Sequence, residues 1–386
     1  MTVEKILFAL FRSEICGETL LDEYKNAITP ETASALYSIS KSHDLAHLVC
    51  EALDKNGVLA QCGKELEEAF CGQRHLAVCR YEQMKYEYAR ICNAFEEAKI
   101  DYMPLKGAVI RAFYPQPWLR TSCDIDILVK NQDLDKATQT CIKVLGYTFK
   151  YKADHDASLF SEGGIHLELH FRIEEDLENI DPLLSRVWEF AEKKAGTEHQ
   201  YIQTREYFVF HHLAHASYHF LSGGCGLRTI IDLWLLQNRY GYDEQQLLAF
   251  CKECGLGTFY KTLKKLTEIW FANETYDDLT KQTEDYILRA GVYGTLENKI
   301  AVKQTDKGGK CGYVFFRIFP PIKQLRIRYP VLYKHKWLLP LCWVRRWFAT
   351  IFKGRVGHSV RELNVNAGIS QERQQVVEML LQNLGL

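Results

Sequence analysis

Two aspartates lie two residues apart in the apolar run DIDILV, residues 124–129. If this run is a strand, Asp124 and Asp126 point to the same face, because side chains alternate along a strand with a period of two. Two ionised carboxylates so close together repel each other unless a cation lies between them. Magnesium takes oxygen ligands and is often held by one or two carboxylates together with substrate phosphates. The pair therefore predicts a Mg²⁺ site on a buried strand. The alternative is an exposed edge strand with solvated acids.

A third acid lies in the stretch IHLELHF, residues 165–171, where polar and apolar side chains alternate. Glu168 would share its strand face with His166 and His170. If this strand neighbours the aspartate strand, three carboxylates converge. Such a cluster can hold two Mg²⁺ ions that align an attacking hydroxyl with the α-phosphate of a nucleoside triphosphate (NTP). Glu168 is then a metal ligand or a general base, and we assign His170 to the substrate site. An ordinary polar strand face is the alternative for Glu168.

Donors for phosphate precede the aspartate strand. Lys106, Gly107 and Ala108 occupy a predicted turn from a strand into a helix. Glycine lets a ligand approach the backbone closely, and the free N–H groups at the start of a helix attract phosphate. Arg120 and Ser122 add a cation and a hydroxyl. We expect these five residues to bind the NTP.

Two further sets of residues recur at helical spacing. His211, His215 and His219 share one face of a predicted helix. They could bind zinc, line the active-site cleft or contact nucleotide, or pack as ordinary polar residues, and no HExxH pattern accompanies them in the sequence. Arg228 and Asp232 are also four residues apart, which predicts an ion pair within one helix.

The spacing of apolar residues predicts the elements that position these side chains. Residues 1–98 have a helical period and form a predicted N-terminal helical region. Residues 99–180 predict an α/β core. The helical period returns over residues 181–303, and residues 304–386 predict a basic, aromatic-rich C-terminal helical region. The predicted fold class is α+β, with a small mixed sheet flanked by helical regions.

Within the core, the pattern predicts four strands and one amphipathic helix. The strands are expected at residues 100–105, 123–129, 157–161 and 165–173, and the helix at residues 131–145. The sequence EGG between the last two strands predicts a hairpin turn.

Composition excludes several classes of protein. The N-terminus lacks the basic start and continuous apolar core of a signal peptide. No stretch approaches the roughly 18 apolar residues that a transmembrane helix requires. The 13 cysteines are scattered and odd in number, which favours reduced thiols over a disulfide scaffold. These features predict a cytoplasmic protein, in solution or peripheral to a membrane.

The C-terminal part of the chain is strongly basic. Residues 307–361 contain 13 Lys and Arg and no Asp or Glu, which leaves −14 on the rest of the chain, given a total of −1. Aromatic residues alternate with these cations. The segment is expected to contact an anionic membrane surface or a nucleic acid, to close over NTP phosphates, or to cap the acidic remainder of the protein.

The order of these motifs resembles that of the DNA polymerase β-type nucleotidyltransferase superfamily: a strand, a glycine at a helix start, an Asp-x-Asp strand and a later strand with a single acid. The stretches LKGAVIRAFYP, LRTSCDIDILV, GYTFK and HLELHF resemble a group described as uncharacterised nucleotidyltransferases. The stretches HHLAHASYH, GLRTIIDL and RYPVLYKHKWLLPLCWVRR extend the resemblance over residues 30–350.

The resemblance implies roles for four residues. Asp124 and Asp126 would be metal ligands, Glu168 the third acid, and Gly107 part of the triphosphate turn. The superfamily usually has Gly followed by Ser or Gly at that turn, whereas Ala108 follows here. A phosphate-binding hydroxyl is therefore missing.

These observations predict a Mg²⁺-dependent enzyme that moves a nucleoside monophosphate (NMP) from an NTP to a hydroxyl of an unidentified acceptor and releases pyrophosphate. One alternative is a degenerate nucleotidyltransferase that binds a nucleotide or a partner during the synthesis of cell-surface polymers or peptides. A toxin-type transferase acting on tRNA is the other.

Overall fold

The computed structural model describes residues 1–292, 294–352 and 356–386. Five helices precede the first strand: α1 (Val3–Cys16), α2 (Asp22–Asn26), α3 (Pro30–Ser42), α4 (Ala46–Lys55) and α5 (Lys64–Glu97). Three short helices lie among the strands: α6 (Gly107–Ile110), α7 (Leu134–Lys143) and α8 (Asp181–Leu184).

The rest of the described chain is helical apart from one small sheet. Its first helices are α9 (Arg205–Leu221), α10 (Arg228–Leu235), α11 (Glu244–Glu253), α12 (Gly257–Ala272), α13 (Asp278–Ala290) and α14 (Leu296–Asp306). They are followed by α15 (Gly309–Ile318), α16 (Ile322–Arg328), α17 (Val331–Lys334), α18 (Leu339–Phe352), α19 (Val356–Gly368) and α20 (Gln371–Leu384). None of the helices described is long and apolar enough to span a bilayer.

A five-stranded sheet forms the centre of the fold. Its strands are β1 (Tyr102–Pro104), β2 (Asp124–Val129), β3 (Thr148–Lys152), β4 (Asp156–Phe160) and β5 (His166–His170). They lie in the order β1-β2-β5-β4-β3. Strands β2 and β5 pair in parallel and the other neighbours are antiparallel, so the sheet is mixed. The predicted fold class, a small mixed sheet flanked by helices, is confirmed.

The hairpin between β4 and β5 also matches the prediction from the sequence. The strands pair antiparallel, and Gly164 in the turn has φ of 80°. This is the left-handed region, which glycine adopts without steric cost.

Three strands were not predicted from the sequence. Strand β3 is exposed along its whole length, so burial imposes no apolar alternation on it. A separate two-stranded sheet, β6 (Ala191–Lys193) and β7 (Tyr201–Gln203), lies in the part expected to be helical. Strands of three residues are too short to display a period of two.

The two faces of the central sheet have different roles. Ile125, Ile127, Leu167 and Leu169 are buried in one hydrophobic cluster with residues of α5 and α7. The side chains that alternate with these residues along each strand point to the opposite face of the sheet. That face carries the acids of β2 and β5 and lines a cleft that helices α9 and α10 also border. The burial of one sheet face therefore fixes which side chains reach the cleft.

Candidate active site

The acids of the two motifs lie side by side on the central sheet. In the parallel β2–β5 pair, Asp124 is opposite His166 and Asp126 is opposite Glu168. The adjacency of these two strands was a condition of the sequence-based prediction, and it holds. Asp124, Asp126 and Glu168 all line the same cleft.

Two groups of potential metal ligands meet at Glu168. Ligand atoms of Asp126, Glu168 and His170 lie within 4.8 Å of one another, and so do those of Asp124, His166 and Glu168. The three predicted acids are therefore distributed over two neighbouring groups, each of which includes a histidine. Carboxylate oxygens suit Mg²⁺ and Mn²⁺, whereas imidazole also suits zinc and iron.

The protonation behaviour of these groups fits a cation site. Burial, followed by the charges of Asp126 and Glu168, raises the pKa of Asp124 to about 6. A cation between these carboxylates would relieve that repulsion. Burial also acts to raise the pKa of Asp126, but Lys106 and His170 outweigh it and hold the pKa well below its usual range.

His170 links the acids of the two strands. Its Nε2–H donates to Asp126 Oδ1 at 2.9 Å, and Nε2 lies 3.5 Å from Glu168 Oε2. Burial lowers the pKa of His170, but the hydrogen bonds to both carboxylates raise it to about 9. The hydrogen bond to His170 is also the main cause of the lowered pKa of Glu168. His170 can therefore orient the carboxylates or, once deprotonated, act as a ligand.

Lys106 supplies a second cation beside Asp126. Its Nζ lies 3.7 Å from Asp126 Oδ1. Burial lowers the pKa of Lys106, but the carboxylates around it, Asp126 first, raise it above its usual value. The backbone of Lys106 has φ of 43°, a conformation that costs a non-glycine residue on the order of 1–3 kcal/mol and is concentrated at functional sites.

Gly107 lies where the backbone closely approaches the side chain of Arg120. A Cβ at this position would clash with the guanidinium of Arg120. The N–H of Ala108 donates to Leu105 O at 3.1 Å, so this amide already has a partner within the turn. Gly107 also borders the cleft, whereas Ala108 lines a second cavity described below.

Arg120 is held by a buried carboxylate. Its Nη2 donates to Asp232 Oδ2 at 2.9 Å and its Nε donates to Asp232 Oδ1 at 3.1 Å, while Tyr114 Oη donates to Asp232 Oδ1 at 2.7 Å. The predicted Arg228–Asp232 pair is therefore wrong. Arg228 instead donates to Thr121 O and lies 3.5 Å from a carboxylate oxygen of Asp44. Arg120 and Arg228 both line the cleft.

Ser122 forms hydrogen bonds that support the backbone at Asp124. Its Oγ donates to the backbone oxygen of Asp124 at 3.1 Å and accepts from Arg111 Nη2 at 2.8 Å. Arg111 also donates to Gly107 O at 2.9 Å. Ser122 borders the cleft. Through Arg111, its hydrogen bonds connect the turn at Gly107 to the start of β2.

The four histidines of α9, which are His211, His212, His215 and His219, line the wall of the cleft opposite the sheet. His215 Nδ1 lies 2.6 Å from Glu175 Oε1, and His215 and His219 approach through their Nε2 atoms at 3.0 Å. Gln203 donates to His211 Nδ1 at 3.1 Å. Burial lowers the pKa of all four imidazoles, that of His211 to about 3. Of the alternatives left open by the sequence, a role as lining of the cleft agrees with these positions.

Two cavities meet at Asp124. The cleft encloses about 280 Å³, and a smaller cavity of about 150 Å³ lies against α5. Tyr81, Tyr88 and Arg111 line the smaller cavity. These three residues were not predicted from the sequence, although Tyr81 and Tyr88 lie seven residues apart on α5 and so share one helix face.

Comparison with known proteins identifies the family. Residues 29–272 match the model of a family described as uncharacterised nucleotidyltransferase. No curated protein matches the chain. The matched range covers more than half of the chain and includes the three acids, Lys106 and the histidines of α9. The resemblance to the broader DNA polymerase β-type superfamily stays a prediction. The chain belongs to the uncharacterised nucleotidyltransferase family.

Proposed function

We propose that the protein is a Mg²⁺-dependent nucleotidyltransferase that moves an NMP from an NTP to a hydroxyl of an acceptor and releases pyrophosphate. The observation that carries this proposal is the convergence of Asp124, Asp126 and Glu168 on one sheet face, at the wall of a cleft. Membership of a nucleotidyltransferase family supports the reaction class.

Three acids would hold the metal and two cations would serve the phosphates. Asp124, Asp126 and Glu168 would bind Mg²⁺, which when present neutralises phosphate charge and aligns the reacting oxygens. Lys106 lies 3.7 Å from Asp126 Oδ1, at the edge of this group of acids. Arg228 borders the same cleft. Arg120 contributes less charge to a ligand, because Asp232 neutralises it.

In the proposed transfer, one bond to phosphorus forms and one breaks, and the cleft supplies an acceptor for the released proton. The acceptor oxygen forms a bond to the α-phosphorus, and the bond between the α-phosphorus and the bridging oxygen breaks. The electron pair leaves with pyrophosphate. The proton of the acceptor hydroxyl passes to a carboxylate, for which Glu168 is our candidate.

The residues that line the two cavities favour different parts of the substrates. The larger cleft contains Lys106, Arg228 and the three acids, which suits a triphosphate with its metal. The smaller cavity contains Tyr81, Tyr88 and Arg111, which suits a planar ring. We therefore place the triphosphate in the cleft and the nucleobase or an acceptor ring against α5.

The proposal is tested by measuring metal and nucleotide binding before any acceptor is known. Isothermal titration with each NTP and Mg²⁺, and spectroscopic titration with Mn²⁺, should show binding that Asp124→Asn and Asp126→Asn abolish. Glu162→Gln, an exposed acid in the β4–β5 turn, is the matched control. Binding that survives both aspartate variants would refute the proposed site.

A degenerate nucleotidyltransferase is the second candidate. Two observations favour it: Ala108 lacks the hydroxyl expected at the turn, and its amide donates to Leu105 O. Transfer of label from α-labelled NTPs onto a broad panel of alcohols, sugars and nucleic acids separates the candidates. Nucleotide binding with no transfer across the panel favours the binding module.

A further inference from the structure

Helix α18 presents an apolar face that none of the described residues covers. Leu341, Val344, Phe348 and Phe352 follow one another at intervals of three or four residues, so they share one side of the helix. All four are exposed, and Phe352 is 82% exposed. Trp337, just before the helix, is 74% exposed. We call these five residues the apolar stripe. With a rise of about 1.5 Å per residue, the helix is about 21 Å long.

The opposite side of α18 is fixed to the protein. Trp343 Nε1 donates to Pro320 O at 2.8 Å, and Trp347 Nε1 donates to Ile318 O at 2.9 Å. The ring of Phe319 packs edge-on against both indoles. Cys342 is buried with residues of α16 and α17. The helix therefore has a packed face, and the apolar stripe is the face left over.

Cations flank the apolar stripe along the sequence. Lys334, Lys336 and Arg345 are exposed beside it in the sequence, and residues 307–361 contain no acidic residue at all. In the described part of this segment, the ion pairs to carboxylates are those of Arg317 with Glu362 and Lys323 with Asp176. Arg345 lies over the ring of Tyr329. Most of the described Lys and Arg of the segment therefore lie outside ion-pair distance of a carboxylate, which weakens the idea that the segment caps the acidic remainder of the chain.

We propose that the apolar stripe and its flanking cations bind the surface of an anionic lipid bilayer, with α18 lying parallel to the membrane plane. A large apolar face beside Lys and Arg is the pattern of an interfacial helix, which buries its apolar side among acyl chains and its cations among anionic headgroups. A nucleic acid would use the cations but would leave the aliphatic side chains in water. This binding surface is separate from the cleft and goes beyond the proposed transfer reaction.

The test is sedimentation of the full-length protein with lipid vesicles. The protein should bind vesicles that contain phosphatidylglycerol and should bind pure phosphatidylcholine vesicles weakly, and added salt should reduce the binding. Phe348→Ser/Phe352→Ser should lower the partition coefficient at least about tenfold, because two inserting rings are lost. Arg345→Glu should lower it several-fold on anionic vesicles alone.

Matched controls distinguish binding through the apolar stripe from non-specific hydrophobic binding to the vesicles. Leu76→Ser on α5 and Met379→Ser on α20 remove equally exposed apolar side chains elsewhere, at 65% and 60% exposure, and should leave vesicle binding unchanged. Circular dichroism should show that all variants remain folded, since each position is exposed. Three results would overturn the proposal: no binding to anionic vesicles, equal binding by the double variant, or a stripe that mediates self-association or nucleic-acid binding instead.

Discussion

At the scale of single residues, the central feature is that Glu168 belongs to both groups of potential ligands. Loss of this carboxylate should weaken two ion sites, whereas loss of Asp124 should weaken chiefly one. We expect Glu168→Gln to lower the affinity for both Mn²⁺ ions by at least about a hundredfold, because even outer-shell changes cost ten- to a hundredfold.

The measurement is the stoichiometry and affinity of Mn²⁺ by electron paramagnetic resonance. Glu162→Gln is the control, since this acid lies in the hairpin turn and is exposed. If Glu168→Gln retains one site of full affinity, Glu168 is not a shared ligand.

Asp124 should reduce the stability of the metal-free protein at neutral pH. Its pKa is raised to about 6 from an ordinary 3.8, so the native state holds its proton more tightly than the unfolded chain, and stability falls as the pH rises from about 4 to about 6. Asp124→Asn should therefore raise the free energy of unfolding at pH 7 by about 1–3 kcal/mol.

Urea unfolding with excess chelator at several pH values measures this effect. The gain should vanish below about pH 4, where the carboxylate is protonated in both states. Added Mg²⁺ should stabilise the natural protein more than the variant. A variant that is less stable than the natural protein at pH 7 would show that favourable partners of Asp124 outweigh its burial and the repulsion from Asp126 and Glu168.

At the scale of elements, two contacts of Arg120 together connect the turn at Gly107 to the helical wall of the cleft. The first is the approach of Gly107 to the guanidinium of Arg120. Gly107→Ala should lower the free energy of unfolding by about 1–3 kcal/mol, because the guanidinium must move from a well-packed position.

Gly72→Ala provides the contrast in the same unfolding experiment. Gly72 lies within α5, and a Cβ added there would meet no neighbouring atom within 4 Å, so alanine should stabilise the protein by roughly 0.5–1 kcal/mol. Equal effects of the two substitutions would show that the approach to Arg120 is not the constraint on Gly107.

The second contact is the buried pair of Arg120 and Asp232, which joins the loop before β2 to α10. Asp232→Ala should cost about 3–5 kcal/mol of stability, because it leaves a buried guanidinium unpaired. The double variant Arg120→Met/Asp232→Leu should cost less than Asp232→Ala alone, since it removes both charges. A double-mutant cycle in urea measures the coupling, and additive losses would argue against a direct pair.

These elements were predictable to different degrees. Strands β2 and β5 were predicted because the buried face of each imposes apolar alternation, whereas β3 is exposed and has no such pattern. The adjacency of β2 and β5, which are far apart in the chain, leaves no local signature. For the same reason, neither the Arg120–Asp232 pair nor the contact of His215 with Glu175 could be derived from spacing. Helical spacing identified the histidine face of α9, but not what it faces.

At the scale of the whole molecule, the cleft lies between two walls of different origin. The central sheet supplies the acids, and helices α9 and α10 supply the histidines and Arg228. A ligand that fills the cleft should hold the two walls together and slow local opening on both sides.

Hydrogen exchange with an NTP and Mg²⁺ tests this arrangement. Amides of β2, β5 and α9 should exchange more slowly when ligand is bound. Amides of α15 to α18 should be unaffected, because the residues that line the cleft lie in other elements. Protection limited to the sheet, or spread over α15 to α18, would contradict the placement of the nucleotide.

The ion pair of Lys106 with Asp126 has a kinetic consequence. The ammonium group lies 3.7 Å from a carboxylate oxygen that a divalent ion would also use, so the lysine acts as a stand-in counterion when no metal is bound. An arriving ion competes for this oxygen and releases the ammonium toward the phosphates. We therefore expect ordered addition, with the ion before the nucleotide, and a slower nucleotide on-rate in chelator that Lys106→Ala no longer displays.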